Sequence, residues 1–501
     1  MHRTRSLRAL RGALSAGSAG ALRAALAGLV AAVTLGLAAC SPAPSFPEPA
    51  DRRDAGILMF QWTWDAIAAE CPTLGEIGLD WVLTSPPQEH VVGPQWWVAY
   101  QPVSHRIESR LGSREQFAAM VESCGEAGVD IVADAVINHM SGQDDPGVGW
   151  AGSEYDHYSY PGLFAPEDFH RCTESPTGDI IDYRDRDEVQ RCELVNLADL
   201  ATGTDGVRER LRAYLDDLLS LGVAGFRIDA AKHMPPEDIA AIVDGLPEGT
   251  RIYQEVIRGQ GEPIQPEEYA EAGPVWEFSY ARTLTSMVES RFLNPDVRFG
   301  PEGRTLPSER AISFVDNHDT ERNGETLSYK DGEAYALATA FLLAHPYGTP
   351  QLTSGYAFEG RDAGAPADGE GRVVDASCAD APRGPQPRYE PGTWVCPHNW
   401  DLVRGLLVFR AAVGDAPLTD ATEFEARELR SVSGFGRGAY GFVAFNAGAT
   451  SATATFGTSL VPGRYTDAVS GAVIEVDGDG RFTAEVPGLG VIALHVGAVE
   501  R

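Results

Sequence analysis

Gly225-Phe226-Arg227-Ile228-Asp229-Ala230-Ala231-Lys232-His233 decides how the rest of the chain is read. A short apolar run ends in a dense patch of charge, the pattern of a buried strand that opens onto a polar rim. Arg227 and Asp229 are two apart, so on a strand they project to the same side. Three other stretches have the same form: Asp134-Ala135-Val136-Ile137-Asn138-His139, Gln254-Glu255-Val256 and Phe314-Val315-Asp316-Asn317-His318-Asp319. Strand-like runs occur at residues 57–60, 81–84, 130–137, 225–229, 251–256, 275–278, 311–316 and 350–353. They alternate with helix-like segments, of which 115–126, 207–221 and 332–344 carry helical periodicity. Strands and helices alternating in this way predict an α/β fold, a (β/α)8 TIM barrel. In that architecture the active site lies at the C-terminal ends of the strands, where the four polar clusters fall.

Working outward, the barrel is expected over residues 51–137 and 201–416. Between them, residues 138–200 are rich in Gly, Pro, Asp and Tyr and show little periodicity. A structureless loop of that length does not suit a compact domain, so this stretch reads as a small domain inserted after strand three. Over residues 417–501, short β-rich runs at 440–445, 452–456, 463–467, 473–476 and 491–496 are separated by Gly or Asn turns. They predict a C-terminal antiparallel β-sandwich.

Residues 1–39 read as an export signal rather than structure. Arg3, Arg5, Arg8, Arg11 and Arg23 form a basic leader, and the apolar run 24–39 ends in Leu37-Ala38-Ala39-Cys40. Small residues before a single cysteine resemble a bacterial lipobox. That resemblance implies a lipidated Cys40 as the new N-terminus, with a flexible Pro-rich tether over 40–50; the alternative is a plain secretory signal. The protein is expected outside the cell, held to the outer face of the membrane by this anchor or secreted. No later apolar run is long enough to span a bilayer, so the anchor is the one membrane contact expected. An exported chain can keep disulfides, and the other cysteines, Cys71, Cys124, Cys172, Cys192, Cys378 and Cys396, leave many pairings open. None forms the C-x-x-C pair of a zinc site. Acidic residues outnumber basic ones by 72 to 40, for a net charge of -32. That balance argues against a nucleic-acid partner and suits a neutral substrate. A monomer is expected.

Carboxyls at several strand ends suggest acid–base chemistry. A guanidinium at position 227 is expected to keep Asp229 ionised, as a nucleophile requires. Glu255 would need the reverse, a raised pKa, to protonate a leaving oxygen. Two carboxyls about 5–5.5 Å apart define a retaining glycosidase. Taken singly, each of these residues has a bland role open to it, as a helix cap or an ion-pair partner. Four clusters at four strand ends argue against that role for all of them.

The four clusters resemble the signature regions of the α-amylase family of glycoside hydrolases. The similarity runs from about residue 56 to the C-terminus and is nearest to the animal and actinobacterial members. It implies that Asp229 is the nucleophile, Glu255 the general acid/base and Asp319 the third carboxylate, which grips sugar hydroxyls. His139 and His318 match the pair that bonds the sugar at the cleavage point, and Lys232 and His233 match contacts on the leaving-group side. Arg227 falls in the same substrate-binding set. Gln95-Trp96-Trp97-Val98-Ala99-Tyr100-Gln101 resembles the aromatic platform after strand two, which gives Trp96, Trp97, Tyr100 and Gln101 as sugar contacts. The resemblance further implies a Ca2+ ion held by the side chains of Asn138 and Asp199 and the backbone carbonyls of Gln190 and His233, oxygen donors that suit a hard cation. It pairs Cys71 with Cys124, Cys172 with Cys192 and Cys378 with Cys396. One position departs from the pattern. Chloride-activated relatives use two arginines and an asparagine; Arg227 and Asn317 match, but Gln351 stands at the second arginine, so activity without chloride is expected.

The activity implied is endo-hydrolysis of α-1,4-glucosidic bonds in starch, glycogen and related α-glucans by retaining double displacement. An exo-acting, maltooligosaccharide-forming or transglycosylating relative remains open. So does a surface glucan-binding lipoprotein without catalysis, although the presence of all three carboxylates argues against it.

Overall fold

The computed structural model describes residues 45–500. Eight strands pair in chain order, all parallel: β1 (Gly56–Met59), β2 (Trp81–Thr84), β3 (Asp130–Ala135), β4 (Gly225–Ile228), β5 (Arg251–Gln254), β6 (Val275–Trp276), β7 (Ala311–Phe314) and β8 (Thr349–Tyr356). β8 then pairs with β1 in the register Gly56↔Gln351 to Met59↔Ser354, which closes the barrel. Every residue of β1, β2, β4 and β7 is buried, because helices cover the outer face and side chains fill the interior. This is why these strands read as short, almost unbroken apolar runs.

The strands stop earlier than the sequence reading expects, and the difference makes the site. Regular pairing ends at Ala135 rather than residue 137, at Ile228 rather than 229 and at Gln254 rather than 256. Asn138, Asp229 and Glu255 are thereby released onto the barrel rim. The outer helices include α1 (Trp64–Glu76), α2 (Arg114–Glu126), α3 (Asp205–Ser220), α4 (Pro236–Val243), α5 (Phe278–Glu289), α6 (Glu333–Ala344) and α7 (Asp401–Val413). α2 begins at a capping box between Ser113 and Gln116. α6 is buried along nearly its whole length, as its Ala- and Leu-rich sequence requires.

Two long connections shape the rim. After β2, an antiparallel pair (Gln88–His90 with Pro102–Ile107) encloses the 3-10 turn Trp96–Tyr100. Between β3 and α3, residues 138–200 hold little regular structure: one short β pair, a single helical turn at Arg186–Val189, and buried Tyr155, Tyr160, Phe164 and Phe169. The disulfide Cys172–Cys192 closes this segment, Cys71–Cys124 ties α1 to α2, and Cys378–Cys396 closes the connection between β8 and α7. All three pairs implied by the family resemblance are present.

The C-terminal part is all-β and antiparallel. Its strands are β9 (Leu418–Glu423), β10 (Val432–Arg437), β11 (Gly441–Asn446), β12 (Ala452–Gly457), β13 (Gly463–Thr466), β14 (Val473–Val476), β15 (Arg481–Val486) and β16 (Gly490–His495). A four-stranded sheet, β9-β10-β11-β16, packs against the pairs β12–β15 and β13–β14. Phe442, Phe456, Tyr465 and Phe482 form the centre of that second core.

The tether expected over 40–50 is described from residue 45 onward, and that part is docked rather than free. Phe46 packs edge-on against Tyr465, with ring centroids 6.3 Å apart, and Ala50 N donates to Ala412 O at 3.0 Å. The apolar Phe46 side chain gains more from the C-terminal core than from solvent. The signal segment and Cys40 lie outside the described residues. Among the described residues, no helix is long and apolar enough to cross a membrane.

Candidate active site

Asp229 follows β4 directly and Glu255 follows β5 directly, so neighbouring strands deliver the two carboxyls side by side. Ala230 takes a left-handed φ of 49°. The turn it makes lets its N–H donate to Glu255 Oε2 at 3.0 Å. Arg227 lies beneath both, wholly buried. Its Nη1 donates to Asp229 Oδ1 at 2.6 Å and to Asp134 Oδ1 at 2.7 Å, and its Nη2 lies 2.8 Å from Glu255 Oε2. The Trp276 ring underlies the guanidinium, 4.6 Å from its centre.

One cation therefore serves three buried carboxyls. Burial pushes Asp134 up to about 7, with Arg227 opposing it. Burial likewise raises Asp229 and Glu255 above their ordinary values, again opposed by Arg227. Two expectations need correction. Arg227 does not single out Asp229 for ionisation, because the same guanidinium also holds Asp134 and Glu255. Nor does Arg227 reach the sugar-binding space, because Asp229 and Glu255 cover it. Asp134, a strand residue of the cluster motif at strand three, is a full partner in the charge cluster, with Tyr100 Oη donating to its Oδ2 at 2.9 Å.

Above the cluster opens a cleft of about 830 Å³. Asp229, Glu255 and Asp319 form its base, and Asp319 is the most open of them, with 38% of its side chain exposed. Trp96, Trp97, Tyr100 and Gln101 line one wall, as the platform motif implies. Tyr100 is nearly buried, and its ring lies parallel to His318, centroids 5.0 Å apart. The other face of His318 stacks on Phe60 at 4.7 Å. Burial holds His318 well below the ordinary histidine value and brings His139 down to about 4. Burial thus favours the uncharged form of both rings, and His139 Nε2 lies 3.0 Å from Tyr100 O. Lys232 and His233 line the opposite wall. Lys232 is already engaged there, donating to Ile257 O at 3.0 Å and pairing with Glu262.

Several lining residues were not found from sequence. Tyr183, Leu194, Val195 and Leu197 come from the 138–200 segment, Glu262 from the loop after β5, and Arg361 and Asp362 from the loop after β8. None sits in a strand-end motif. Trp96 Nε1 donates to Arg361 O at 3.0 Å, so the platform itself holds that last loop in place.

The residues implied for Ca2+ fall in two pairs, Asn138 with Asp199 and Gln190 with His233, and His233 lines the cleft. Asp199 is buried, burial lifts its carboxyl to about 7, and it bonds both His170, at 2.6 Å from Nδ1, and Asn138. The Gln190 and His233 carbonyls accept no hydrogen bond among the described residues. His233 Nδ1, 3.1 Å from Val189 O, brings their two backbone segments together. A buried carboxyl, an amide and two free carbonyls fit a hard divalent cation. Two other groups of candidate ligands, Glu70–Cys378–His398 and Cys172–Glu174–Cys192, depend on sulfurs already bound in disulfides and do not.

A closed parallel barrel whose strand ends gather carboxyls under an aromatic-walled cleft defines a carbohydrate-cleaving hydrolase. Comparison with known proteins agrees. Residues 82–263 match the α-amylase catalytic domain and residues 426–497 the α-amylase C-terminal all-β domain. The α-amylase of Streptomyces violaceus is 42% identical over 458 residues, covering 91% of this chain and 76% of that one. The α-amylase of Thermomonospora curvata is 42% identical over 483 residues, covering 91% and 75%. The structure of α-amylase I from Eisenia fetida superposes with a TM-score of 0.82 at 33% identity, covering 90% of this chain and 98% of that one, and a mutant of it is solved with maltohexaose. The chain belongs to the α-amylase family and is a glycoside hydrolase.

Proposed function

We propose that the protein is an endo-acting α-amylase that cleaves α-1,4-glucosidic bonds in starch and glycogen with retention of configuration. The observation that carries this reading is the bridge formed by Arg227, whose two terminal nitrogens hold Asp229 and Glu255 side by side at the base of the cleft. One guanidinium keeps the pair close, as a retaining mechanism needs and an inverting one, which must admit a water between acid and base, does not. Asp229 attacks the anomeric carbon while Glu255 gives its proton to the departing glycosidic oxygen, and that C–O bond breaks. Water then attacks the glycosyl–Asp229 ester, Glu255 takes the water's proton, and the sugar leaves as the α-anomer. The raised Glu255 pKa suits the acid role, and the Arg227 contact favours the Asp229 carboxylate once Glu255 holds a proton. Asp319, His139 and His318 grip the sugar hydroxyls at the cleavage point. Trp96 and Trp97 offer aromatic faces to the apolar faces of glucose. The cleft is open rather than a closed pocket, which suits entry of a chain at any point along its length.

Asn138, Asp199 and the Gln190 and His233 carbonyls would hold Ca2+, tying segment 138–200 to the barrel. That segment, the barrel and the C-terminal β-structure act as the three domains bounded as in the sequence reading. The basic leader and Cys40 support export, with a lipid anchor at the outer face of the cell membrane or secretion, and the acidic surface supports a monomer. The deciding experiment is starch hydrolysis by residues 51–501 beside Asp229→Asn and Glu255→Gln, with NMR of the first product anomer. Each variant should lose at least about 10²–10⁴-fold in kcat, and the α-anomer should appear first. Undiminished turnover in either variant, or a β-anomer, defeats the mechanism.

A further inference from the structure

Three residues beyond Asp319, Arg322 is buried next to Trp96 and His318, which line the cleft, with only 1% of its side chain exposed. Its guanidinium meets six neighbours at once. Nη1 donates to His318 O at 2.8 Å and pairs with the neighbouring Glu321 carboxylate. Nη2 donates to Tyr356 Oη at 3.1 Å. The guanidinium carbon lies 4.1 Å from the Phe358 ring centre, 5.0 Å from Phe60 and 5.1 Å from Trp96. Phe60 is the ring on which His318 stacks.

Stability alone does not account for this arrangement. A buried ion pair is often no more stabilising than apolar residues of the same volume. Burial lifts Glu321 to about 7 in spite of its partner, so the pair is held at a cost. What the guanidinium supplies, and an apolar side chain cannot, is a rigid fork that fixes the His318 carbonyl while its faces lie against the rings on either side.

Resting on the catalytic reading above, we propose that Arg322 is a positioning residue: it fixes the His318–Asp319 backbone so that both side chains meet the sugar in the transition state. Arg322 touches no substrate, because Trp96 and His318 line the cleft and Arg322 does not. Its effect passes through the peptide of His318, and its charge faces Asp319.

The test is steady-state hydrolysis of maltoheptaose by wild type, Arg322→Lys, Arg322→Gln and Asp319→Asn, with rates referred to folded protein measured by thermal melts. Misplacing the pair should lower kcat about 100-fold in Arg322→Gln. KM should stay within about three-fold, because Trp97, Gln101 and the Lys232 wall, which carry much of the ground-state binding, lie outside the contacts that Arg322 makes. Arg322→Lys keeps the charge and the ring contacts but cannot reach His318 O and Tyr356 Oη together, so it should recover about ten-fold of the loss. A kcat near wild type in folded Arg322→Gln overturns the proposal, as does a change confined to KM. If Arg322→Gln does not fold, Arg322→Lys decides: a kcat equal to wild type overturns it and a fall of about ten-fold supports it. Inactive wild type would instead sink the catalytic reading, whereas active wild type with dead Asp319→Asn and fully active Arg322→Gln sinks this proposal alone.

Discussion

Arg227 Nη1 lies 2.6 Å from Asp229 Oδ1 and 2.7 Å from Asp134 Oδ1, so the two carboxyls share one proton donor. Burial raises the Asp134 pKa, Arg227 opposes the rise and the charge of Asp229 adds to it. Asp134→Asn keeps an oxygen for Arg227 and removes the repulsion. With no negative charge possible at position 134, the Asp229 carboxylate should be favoured. Since Asp229 must be ionised to attack, the acid limb of the kcat/KM profile should move to lower pH. A pH series on a short soluble substrate measures it, and an unmoved or upward-shifted limb contradicts the shared-cation picture.

The sequence showed the barrel because its strands are short apolar runs, and at four of them a polar cluster marks the strand end. It did not show Asp134 as part of the cluster, since its place depends on β3 and β4 pairing Asp134 with Arg227 across the sheet. The missed strands of the C-terminal β-structure have equally physical reasons. β10, Val432-Ser433-Gly434-Phe435-Gly436-Arg437, carries two glycines that read as turns; Gly434 lies so close to Val443 O that an added Cβ would come within 2.8 Å. β15 buries only Phe482 and Val486 deeply, and β9 is broken by Asp420 at a left-handed φ of 50°. The cleft's outer walls were illegible for another reason. Val195, Glu262 and Arg361 arrive on irregular loops, where no periodicity ties a residue to a direction.

Gln351 is buried on β8, and neither its amide nitrogen nor its amide oxygen finds a partner among the described residues. A neutral amide cannot hold chloride as a guanidinium would. Enzyme dialysed free of chloride should hydrolyse starch at its full rate, and added chloride should leave kcat unchanged. A several-fold rise on adding chloride to such a preparation contradicts this.

His345 should make the fold acid-sensitive. Burial, then the nearby Arg437 and Arg410 charges, bring its pKa down to about 3, and its Nδ1 accepts from Tyr347 N at 3.2 Å. The folded pKa lies below the unfolded one, so the unfolded chain takes the proton first. The stability this group contributes is complete above about pH 6.5 and is lost as pH falls from there towards 3. His345→Asn keeps an acceptor for Tyr347 and removes the titration. Between pH 7.5 and pH 5 the stability difference between wild type and variant should shift by about 2 kcal/mol in the variant's favour. Denaturant midpoints at the two pH values read the shift, and a pH-independent difference rules His345 out.

Calcium should show itself in stability before activity. Asp199 is a buried carboxyl that burial lifts to about 7, and a divalent ion would hold it ionised. Binding to the folded chain alone stabilises it by about 2.7 kcal/mol at one hundred times Kd. Chelation should therefore lower Tm, and restored calcium should raise it again. In Asp199→Asn the amide keeps the shape of the site but loses its one negative charge, so Tm should become indifferent to calcium while Cys172–Cys192 still closes the segment. A variant whose Tm still rises with calcium would place the ion elsewhere. A wild type indifferent to chelator would mean that His170 and Asn138, without a metal, are enough to satisfy Asp199.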